Sequence, residues 1–210
     1  MRVAPAWTLG ILAGGESRRL GRDKATVPFA GTTLLQHVAG RLAPEGVPVI
    51  VATRPDGPGR DLGYPWVPDE LPGEGPLSGA TALLYACETP FLLLVPCDAP
   101  LLPPLIGDRL LDRAPGVDGV LAVAEGRTWP LPALLTVDLA PLFRSLLEGG
   151  ARRADAWLEH APAALIPFED LCPGVSPERA FLNVNTPEDL VRAEAIFTEE
   201  GVRVDPESAP

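Results

Sequence analysis

A glycine-rich segment near the start of the chain constrains the fold more than any other feature. Residues 8–12 form a short apolar run that is typical of a buried strand, and the run ends before Gly14 and Gly15. Paired glycines allow positive φ angles and a close approach of the backbone to a ligand. Peptide N–H groups in such a loop can point at phosphate oxygens. The segment therefore predicts a strand that leads into a phosphate-binding loop.

Four cationic side chains follow the glycines within a short distance. They are Arg18, Arg19, Arg22 and Lys24. Lys24 is the only lysine in the sequence, and lysine differs from arginine because it is a compact and mobile point charge. We expect this loop to neutralise phosphate groups. The alternative is that a compositional bias toward arginine left one lysine here by chance.

Length and composition are those of one soluble globular domain. The chain has 210 residues, of which 46% are hydrophobic and 21% are charged, enough for a sizeable core. We expect a single domain over residues 1–210, with an acidic flexible tail from about residue 200. No apolar run is long enough to cross a membrane, and the first residues lack the features of a signal peptide. We therefore expect a cytoplasmic protein.

The charged, cysteine and histidine residues exclude several classes of function. A net charge of -11 disfavours binding to nucleic acid or to an anionic membrane surface. Cys87, Cys97 and Cys172 are odd in number and have no C-x-x-C spacing, which argues against a disulfide framework or a zinc site. His37 and His160 are far apart in the sequence, which disfavours a histidine-dependent mechanism.

The rest of the chain alternates between apolar runs and helical patterns. Strands are predicted at residues 8–12, 47–52, 65–67, 91–95, 117–124, 129–136, 163–167 and 181–183, and helices at 33–42, 76–87, 103–113, 139–148, 152–159 and 186–197. This alternation predicts an α/β fold, a single three-layer α/β/α Rossmann-like domain with a mostly parallel central sheet. Ligands of such sheets bind beyond the carboxyl ends of the strands. That rule places residues 12–24, Asp69 and Asp98 on one rim.

Polar residues near these strand ends are candidates for chemistry. Asp98 follows the very hydrophobic run 91–95 and suits Mg²⁺, which prefers a few oxygen ligands and shares the phosphates of a nucleotide. The alternative is that Asp98 caps the next helix. Asp69 lies in a proline-rich loop, and the alternative to a ligand contact is that it stabilises a turn.

Two asparagines stand near the end of the chain. Asn183 and Asn185 are the only asparagines, in the sequence F-L-N-V-N-T-P-E-D-L. Strand alternation would place both amides on one face, where their donors and acceptors suit the edge of a pterin or a phosphate. Alternatively, Asn185 only turns the chain into the last helix.

The pattern L-A-G-G-x-x-R-R-x-G-x-x-K resembles the signature of nucleotidyltransferases with the GT-A-like fold, and most closely that of the molybdenum cofactor guanylyltransferases. The motifs G-P-L-S-G at 75–79, P-C-D-x-P at 96–100 and N-x-N-T-P-E-D-L at 183–190 resemble other motifs of that family. The likeness runs from residue 9 to residue 190. It implies transfer of GMP from GTP to the terminal phosphate of molybdopterin, or of its molybdenum-loaded form, with release of pyrophosphate. It also implies Mg²⁺ as cofactor and transient contact with proteins that deliver or accept the molybdenum cofactor.

The resemblance assigns roles to individual residues. It implies that Lys24, Arg19 and Asp98 are catalytic and that Asp98 binds the metal ion. It implies nucleotide binding by Leu12, Ala13, Gly14, Gly15, Lys24, Thr53, Asp69, Gly79 and Asp98. It places the second substrate near Asn183, Asn185, Arg152 and Arg153. Thr53 and Trp129 depart from the family pattern, which more often has an asparagine near the first position and a histidine at the second.

Two other functions are compatible with the same first loop. One is a cytidylyltransferase or a sugar-phosphate nucleotidyltransferase, and the other is a non-catalytic nucleotide-binding carrier of the cofactor. The motifs at 75–79 and 183–190 favour guanylyl transfer, and the presence of Lys24 and Asp98 favours an enzyme. The lack of a catalytic histidine is no objection, because a phosphate monoester, with a second pKa of about 6, is mostly dianionic at pH 7.

Overall fold

The computed structural model describes residues 5–14, 20–69, 71 and 75–203. Its strands are β1 (Trp7–Leu12), β2 (Pro28–Phe29), β3 (Thr32–Thr33), β4 (Val49–Thr53), β5 (Trp66–Pro68), β6 (Phe91–Pro96), β7 (Gly119–Ala124), β8 (Arg127–Thr136) and β9 (Ala163–Pro167). Its α-helices are α1 (Leu34–Leu42), α2 (Pro76–Ala86), α3 (Ile106–Leu111), α4 (Ala140–Glu148), α5 (Phe168–Leu171), α6 (Pro177–Ala180) and α7 (Pro187–Arg203). Short 3₁₀ helices occupy Lys24–Thr26, Pro58–Asp61, Val137–Leu139 and Ala156–Glu159.

Seven strands form a mixed, mostly parallel sheet in the order β5-β4-β1-β6-β8-β7-β9. β1 pairs in parallel with both β4 and β6, and β9 pairs in parallel with β7. Within the described sheet, β8 alone runs antiparallel to its neighbours. A two-residue turn at Glu125 and Gly126 connects β7 to β8. Both residues have positive φ, as a type I′ hairpin turn requires. The predicted α/β fold with a mostly parallel sheet is confirmed.

Helices cover both faces of the sheet, and the pattern of β6 shows why. Leu93 and Val95 point into a core that also contains side chains of α1, α3 and α5. Leu92 and Leu94 point into a second core with side chains of α2 and α4. Because a central parallel strand is buried on both faces, it is continuously apolar rather than alternating. The three layers predicted from the sequence are therefore present.

The last helix is attached beside the sheet by a small third core. Phe29 and Val184 are buried there together with Ala193 of α7. The ring of His37 lies between Phe29 and Phe197, with centroid distances of 4.6 and 4.8 Å. This packing holds the segment before α7 against the rim of the sheet, where the candidate site lies.

Some predicted boundaries were wrong, and the backbone hydrogen bonds give the reasons. Residues 152–155 are not helical, because the carbonyl of Arg152 accepts a hydrogen bond from Leu77 N at the start of α2. Residues 181–183 are not a strand, since Val184 N donates to the carbonyl of Asp98 instead of to a sheet neighbour. The helix predicted at 103–113 is shorter, and the last helix continues to residue 203. The part of the predicted tail beyond residue 203 lies outside the described residues.

None of the helices in the described part of the chain is long and apolar enough to span a membrane.

Candidate functional site

A pocket of about 330 Å³ opens beyond the carboxyl ends of β1, β5 and β6. We call it the loop pocket, and its walls include Leu12, Gly14, Lys24, Asp69, Gly79 and Asp98. These residues are far apart in the sequence but meet here because parallel strands end at the same edge of the sheet. This edge is where ligands bind in open α/β sheets.

The ammonium group of Lys24 lies between two side-chain oxygens in this pocket. Its Nζ donates to Asp98 Oδ2 at 2.5 Å and to Asn185 Oδ1 at 2.6 Å. The side chains of Lys24 and Asp98 are 15% and 14% exposed. Hydrogen bonds between charged groups that are shielded from water are stronger than those at an open surface. The strand order therefore brings together the two residues that the sequence placed on one rim.

The position of Lys24 is fixed by the residues on either side of it. Lys24 begins a 3₁₀ helix whose cap is Asp23, and the Asp23 carboxylate accepts a hydrogen bond from Ala25 N at 3.0 Å. The same carboxylate accepts from Arg54 Nη2 at 3.2 Å, which connects the loop to the end of β4. Ala25 is fully buried in the core, and this burial anchors the backbone that carries Lys24 beside the pocket.

Asp98 is fixed by hydrogen bonds to the backbone around it. Cys97 N donates to the carbonyl of Leu12, and the carbonyl of Asp98 accepts from Val184 N at 2.8 Å. His37 Nε2 lies 3.0 Å from the carbonyl of Pro100. Burial, and then the charge of Asp98, raise the pKa of the Cys97 thiol well above its usual range. Cys97 is therefore a neutral part of the pocket wall and not a nucleophile.

Asn185 reaches Lys24 because of the cap of α7. The Asp189 carboxylate accepts hydrogen bonds from the N–H groups of Asn185 and Thr186, and Thr186 Oγ1 accepts from Asp189 N. This reciprocal arrangement is a capping box. The box orients the backbone of Asn185, so that its side chain is directed at the loop pocket while the chain turns into the helix.

Asp69 follows β5 and supplies a second, more deeply buried carboxylate. It is 8% exposed, and its Oδ1 accepts hydrogen bonds from Ser78 Oγ and from Leu71 N. Its Oδ2 faces Gly14, where a Cβ atom would lie only 2.9 Å away. Among the described residues, no donor reaches this Oδ2. Asp69 therefore presents an acceptor to the loop pocket, and Gly14 is needed for the close approach.

The first turn of α2 closes the loop pocket from the side. Gly75, with φ +100°, brings the chain into the helix. A Cβ atom on Gly79 would lie 2.8 Å from Leu12 Cδ2 and 3.3 Å from the Cβ of Ala52. Gly79 is thus needed for α2 to pack directly on β1 and β4. This close packing determines how far the wall formed by α2 lies from the strands.

A larger cavity, of about 580 Å³, adjoins the loop pocket. We call it the aromatic pocket, because Trp129 and Phe181 stack in its wall with ring centroids 4.3 Å apart and planes inclined by 13°. The two pockets share Gly75, Pro76, Pro96, Asp98 and Leu131. Asp98 therefore lies at their junction, where two bound molecules could touch.

Comparison with known proteins decides which family has this arrangement. The sequence model of the MobA-like NTP transferase domain matches residues 9–163. A molybdenum cofactor guanylyltransferase of Acidovorax sp. (strain JS42) is 39% identical over 201 residues, which cover 89% of this chain and 94% of that protein. This chain belongs to the MobA-like NTP transferase family. The assignment made from the sequence motifs is confirmed.

Another relative agrees with the MobA-like assignment, and solved structures share the fold. A molybdenum cofactor guanylyltransferase of Shewanella woodyi is 36% identical, covering 89% of this chain and 95% of that protein. The molybdopterin-guanine dinucleotide biosynthesis protein A of Archaeoglobus fulgidus has the same fold, with a TM-score of 0.77 at 24% identity over 91% of this chain and 99% of that one. The 2-C-methyl-D-erythritol 4-phosphate cytidylyltransferase of Thermus thermophilus also shares the fold, with a TM-score of 0.65 at 20% identity over 90% and 98% of the two chains.

Not every residue implied by the family resemblance lines the loop pocket of this MobA-like protein. Thr53 is buried, its carbonyl accepts from Asp69 N, and its hydroxyl faces Gly57 under the loop that follows β4. The Thr53 side chain does not line the loop pocket, and its contact with a nucleotide stays a prediction. Ala13 is also buried and contributes only its backbone. Gly15, Arg18 and Arg19 lie outside the described residues.

The residues expected near a second substrate are divided between two places. Asn183 lines the aromatic pocket, whereas Asn185 faces Lys24, so the two amides do not share the face of a strand. Arg152 donates to the carbonyls of Leu147 and Ala151 at the end of α4. Arg152 also lines the aromatic pocket, so its approach to a second substrate stays a prediction.

The remaining arginine of the pair holds a carboxylate that the sequence did not single out. Arg153 Nε and Nη2 donate to the two oxygens of Asp155 at 2.9 and 2.7 Å, and both residues line the aromatic pocket. Hydrogen bonding from Arg153 holds the pKa of the Asp155 carboxyl below its usual range. An R-x-D spacing outside a helix was the signal that could have indicated this pair.

The junction of the pockets suits a hard divalent cation. Asp98 Oδ2 and Asn185 Oδ1 already converge on one cationic group, the ammonium of Lys24. In the described part of the chain, no three acidic, histidine or cysteine side chains form a closed metal cage. Mg²⁺ normally keeps several waters and binds through one or two protein oxygens plus substrate phosphates. The donor set therefore fits Mg²⁺ that is shared with a nucleotide.

Proposed function

We propose that this protein transfers GMP from GTP to the terminal phosphate of molybdopterin, or of its molybdenum-loaded form, and releases pyrophosphate. The observation that carries the proposal is the contact of Lys24 with Asn185 and with Asp98. Asp98 lies at the junction of the loop pocket and the aromatic pocket. Charged groups at the meeting point of two cavities can align one bound phosphate with another. Relatives named molybdenum cofactor guanylyltransferase, which match nearly the whole chain, also support it.

In the proposed reaction, a terminal phosphate oxygen of molybdopterin attacks the α-phosphorus of GTP. A new phosphorus–oxygen bond forms, and the bond from the α-phosphorus to the oxygen that bridges to the β-phosphorus breaks. Pyrophosphate leaves with that electron pair. Because the attacking monoester is mostly dianionic at pH 7, with a second pKa of about 6, no side chain has to remove a proton from it. The protein has to supply alignment and neutralisation of charge.

The loop pocket provides groups for both tasks. Lys24 neutralises oxygens of the triphosphate, and N–H groups of the glycine loop donate to them. Asp98, together with Asn185, would hold Mg²⁺, which supplies charge neutralisation on the phosphate oxygens when it is bound. Arg19 remains a predicted contact of the triphosphate. Contact with proteins that deliver or accept the molybdenum cofactor also remains a prediction.

Selection of guanine falls to Asp69 in this proposal. Guanine presents two adjacent donors, N1–H and the 2-amino group, and they can share Oδ2 of Asp69, since Ser78 and Leu71 already donate to Oδ1. Asp69 is held by Ser78 and presents Oδ2 toward the loop pocket. Cytosine and uracil lack this pair of donors, so a buried carboxylate at this position favours GTP over CTP and UTP.

A comparison of nucleotides by thermal unfolding tests this proposal. With Mg²⁺ and GTP at a hundredfold excess over its Kd, we expect stabilisation by about 2.7 kcal/mol, or about 5 to 11 °C for a chain of this size. CTP and UTP at the same concentration should raise the unfolding temperature far less. Asp69→Asn should lose most of the shift with GTP. Stabilisation by CTP alone would contradict the proposal and favour a cytidylyltransferase.

A further inference from the structure

The ammonium group of Lys24 occupies the position in the site that is best suited to a metal ion. Its Nζ lies 2.5 Å from Asp98 Oδ2 and 2.6 Å from Asn185 Oδ1. This carboxylate and this amide oxygen are the donor pair that fits Mg²⁺, so the ammonium and the metal ion would use the same two atoms. Within the described residues, Lys24 is the only ion-pair partner of Asp98. The chain itself therefore supplies a positive charge at this position.

These two oxygens can hold one cation at a time. Octahedral Mg²⁺ keeps its ligands at about 2.0–2.1 Å, and Asp98 Oδ2 already has an ammonium nitrogen at 2.5 Å. A metal ion on the same oxygens would lie within a few ångströms of a like charge. Both side chains of the ion pair are largely shielded from solvent, so water screens this repulsion poorly. Lys24 therefore excludes a metal ion from the two oxygens for as long as it contacts them.

The backbone on each side of this contact is held independently of Lys24. The carbonyl of Asp98 accepts a hydrogen bond from Val184 N at 2.8 Å. The carboxylate of Asp189 accepts from Asn185 N at 3.0 Å, as part of the capping box. Departure of the ammonium therefore leaves a carboxylate and an amide oxygen close together. A shielded carboxylate without a partner is unfavourable, so this pair of oxygens then favours another cation.

Lys24 can leave these oxygens by a movement of its side chain alone. Lys24 and Asp98 both line the loop pocket, where the triphosphate binds in the proposed function. The four-carbon stem of lysine is flexible, and its ammonium is a mobile point charge. The backbone below it is anchored, because the Asp23 carboxylate accepts a hydrogen bond from Ala25 N. A rotation of the Lys24 side chain is thus enough to transfer the charge from Asp98 to a phosphate in the loop pocket.

Resting on the proposed function, we propose that Lys24 closes the metal site of the nucleotide-free protein and opens it when a triphosphate binds. The triphosphate draws the ammonium away from Asp98 and Asn185, and the two freed oxygens then accept Mg²⁺. Metal ion and nucleotide thereby bind cooperatively, because each raises the affinity for the other. Without nucleotide, the protein has little affinity for a divalent cation at these oxygens.

Binding of Mn²⁺ to the nucleotide-free chain tests this exchange without any turnover. Free Mn²⁺ is measured by electron paramagnetic resonance in the presence of wild-type protein or of Lys24→Met, which removes the charge and keeps a side chain of similar length. The variant should bind Mn²⁺ about tenfold more tightly or better, since a like charge so close to the ion opposes binding by at least this factor. Equal Mn²⁺ affinities of the two proteins, with cooperative thermal unfolding of both, would overturn the proposal.

Further variants locate the gained affinity. Adding Asp98→Asn to Lys24→Met should remove the gain, because it removes the charged ligand, and adding Asn185→Ala should remove part of it. Arg113 is exposed and lies outside both pockets. Arg113→Met is the matched control, since it also removes one positive charge, and it should keep the wild-type affinity. A gain that survives Asp98→Asn, or an equal gain in Arg113→Met, would overturn the proposal.

The ammonium group can also be followed in the wild-type protein, because Lys24 is the only lysine in the chain. Labelling with ¹⁵N-lysine then gives a single side-chain ammonium signal in the NMR spectrum. Mg²⁺ alone should leave this signal unchanged, whereas GTP with Mg²⁺ should shift it as the ammonium moves from Asp98 to the phosphates. An equal shift with Mg²⁺ alone, or no shift with GTP and Mg²⁺, would overturn the exchange.

These outcomes are distinct from those of the transfer reaction. If the wild-type protein forms the dinucleotide from GTP and molybdopterin but Lys24→Met binds Mn²⁺ no more tightly than wild type, the exchange is refuted and the transfer function stands. If Lys24→Met gains affinity for Mn²⁺ but the wild-type protein releases no pyrophosphate, the transfer function is refuted and the exchange of cations stands.

Discussion

Replacement of Lys24 by methionine should abolish most of the activity while it leaves the fold intact. Methionine keeps an unbranched side chain of similar length but removes the ammonium group that contacts Asp98 and Asn185. Asp98 then loses a charged partner. Because the carboxylate is partly exposed, water can replace some of the lost hydrogen bonding, and we expect the free energy of unfolding to fall by only about 1–2 kcal/mol.

The effect of the same substitution on turnover should be much larger. In the proposed mechanism, Lys24 neutralises charge on the triphosphate as pyrophosphate leaves. Removal of one such preorganised electrostatic group typically lowers kcat by about 10²–10³, equivalent to about 2.7–4 kcal/mol. The expected pattern is therefore a large loss of kcat with a small loss of stability.

The assay is release of pyrophosphate at saturating GTP and molybdopterin with Mg²⁺, together with unfolding in urea. Lys24→Arg is the matched control, and it should retain more activity than Lys24→Met because it keeps the positive charge. Asp98→Asn should also lower kcat, and the double variant should lose less than the sum of the two single effects, since the residues contact each other. A Lys24→Met protein that keeps kcat within threefold of wild type would refute the role of Lys24.

Two other predictions concern packing and the thiols. Gly79→Ala should lower the free energy of unfolding in urea by about 1–3 kcal/mol, because the new Cβ would lie 2.8 Å from a Leu12 methyl group. Gly40→Ala in α1 is the control, because its new Cβ atom would meet no atom within 4 Å. It should leave the stability unchanged or raise it by about 0.5–1 kcal/mol. Equal losses of stability in both variants would contradict the packing argument. Burial raises the pKa of Cys97, so little reactive thiolate forms at pH 8. Iodoacetamide should therefore modify the half-buried Cys87 first, as measured by mass spectrometry of the native protein. Labelling of Cys97 at an equal rate would refute this.

The sequence was sufficient to place Lys24 near Asp98. The apolar runs before the glycine loop and before Asp98 have the composition of buried parallel strands, and such strands end at one edge of a sheet. The direction of the strands placed these polar residues on one rim, and their contact further requires that β1 and β6 are neighbours in the sheet.

Other parts of the site depended on contacts between distant segments, which local patterns do not reveal. Residues 152–155 have a helical pattern, but the carbonyl of Arg152 pairs with Leu77 N. Likewise, the segment around Asn183 resembles a strand, but Val184 N pairs with Asp98. The Arg153–Asp155 pair forms only because the chain is not helical there. A helix would have directed side chains two positions apart away from each other.

Product formation by the wild-type protein is the decisive test of guanylyl transfer to molybdopterin. The protein is mixed with GTP, Mg²⁺ and molybdopterin, pyrophosphate is quantified, and the pterin product is identified by mass spectrometry. We expect one pyrophosphate for each molybdopterin guanine dinucleotide, with Lys24→Met as the inactive control. Formation of the dinucleotide with CTP in preference to GTP, or binding of GTP without any product, would contradict it.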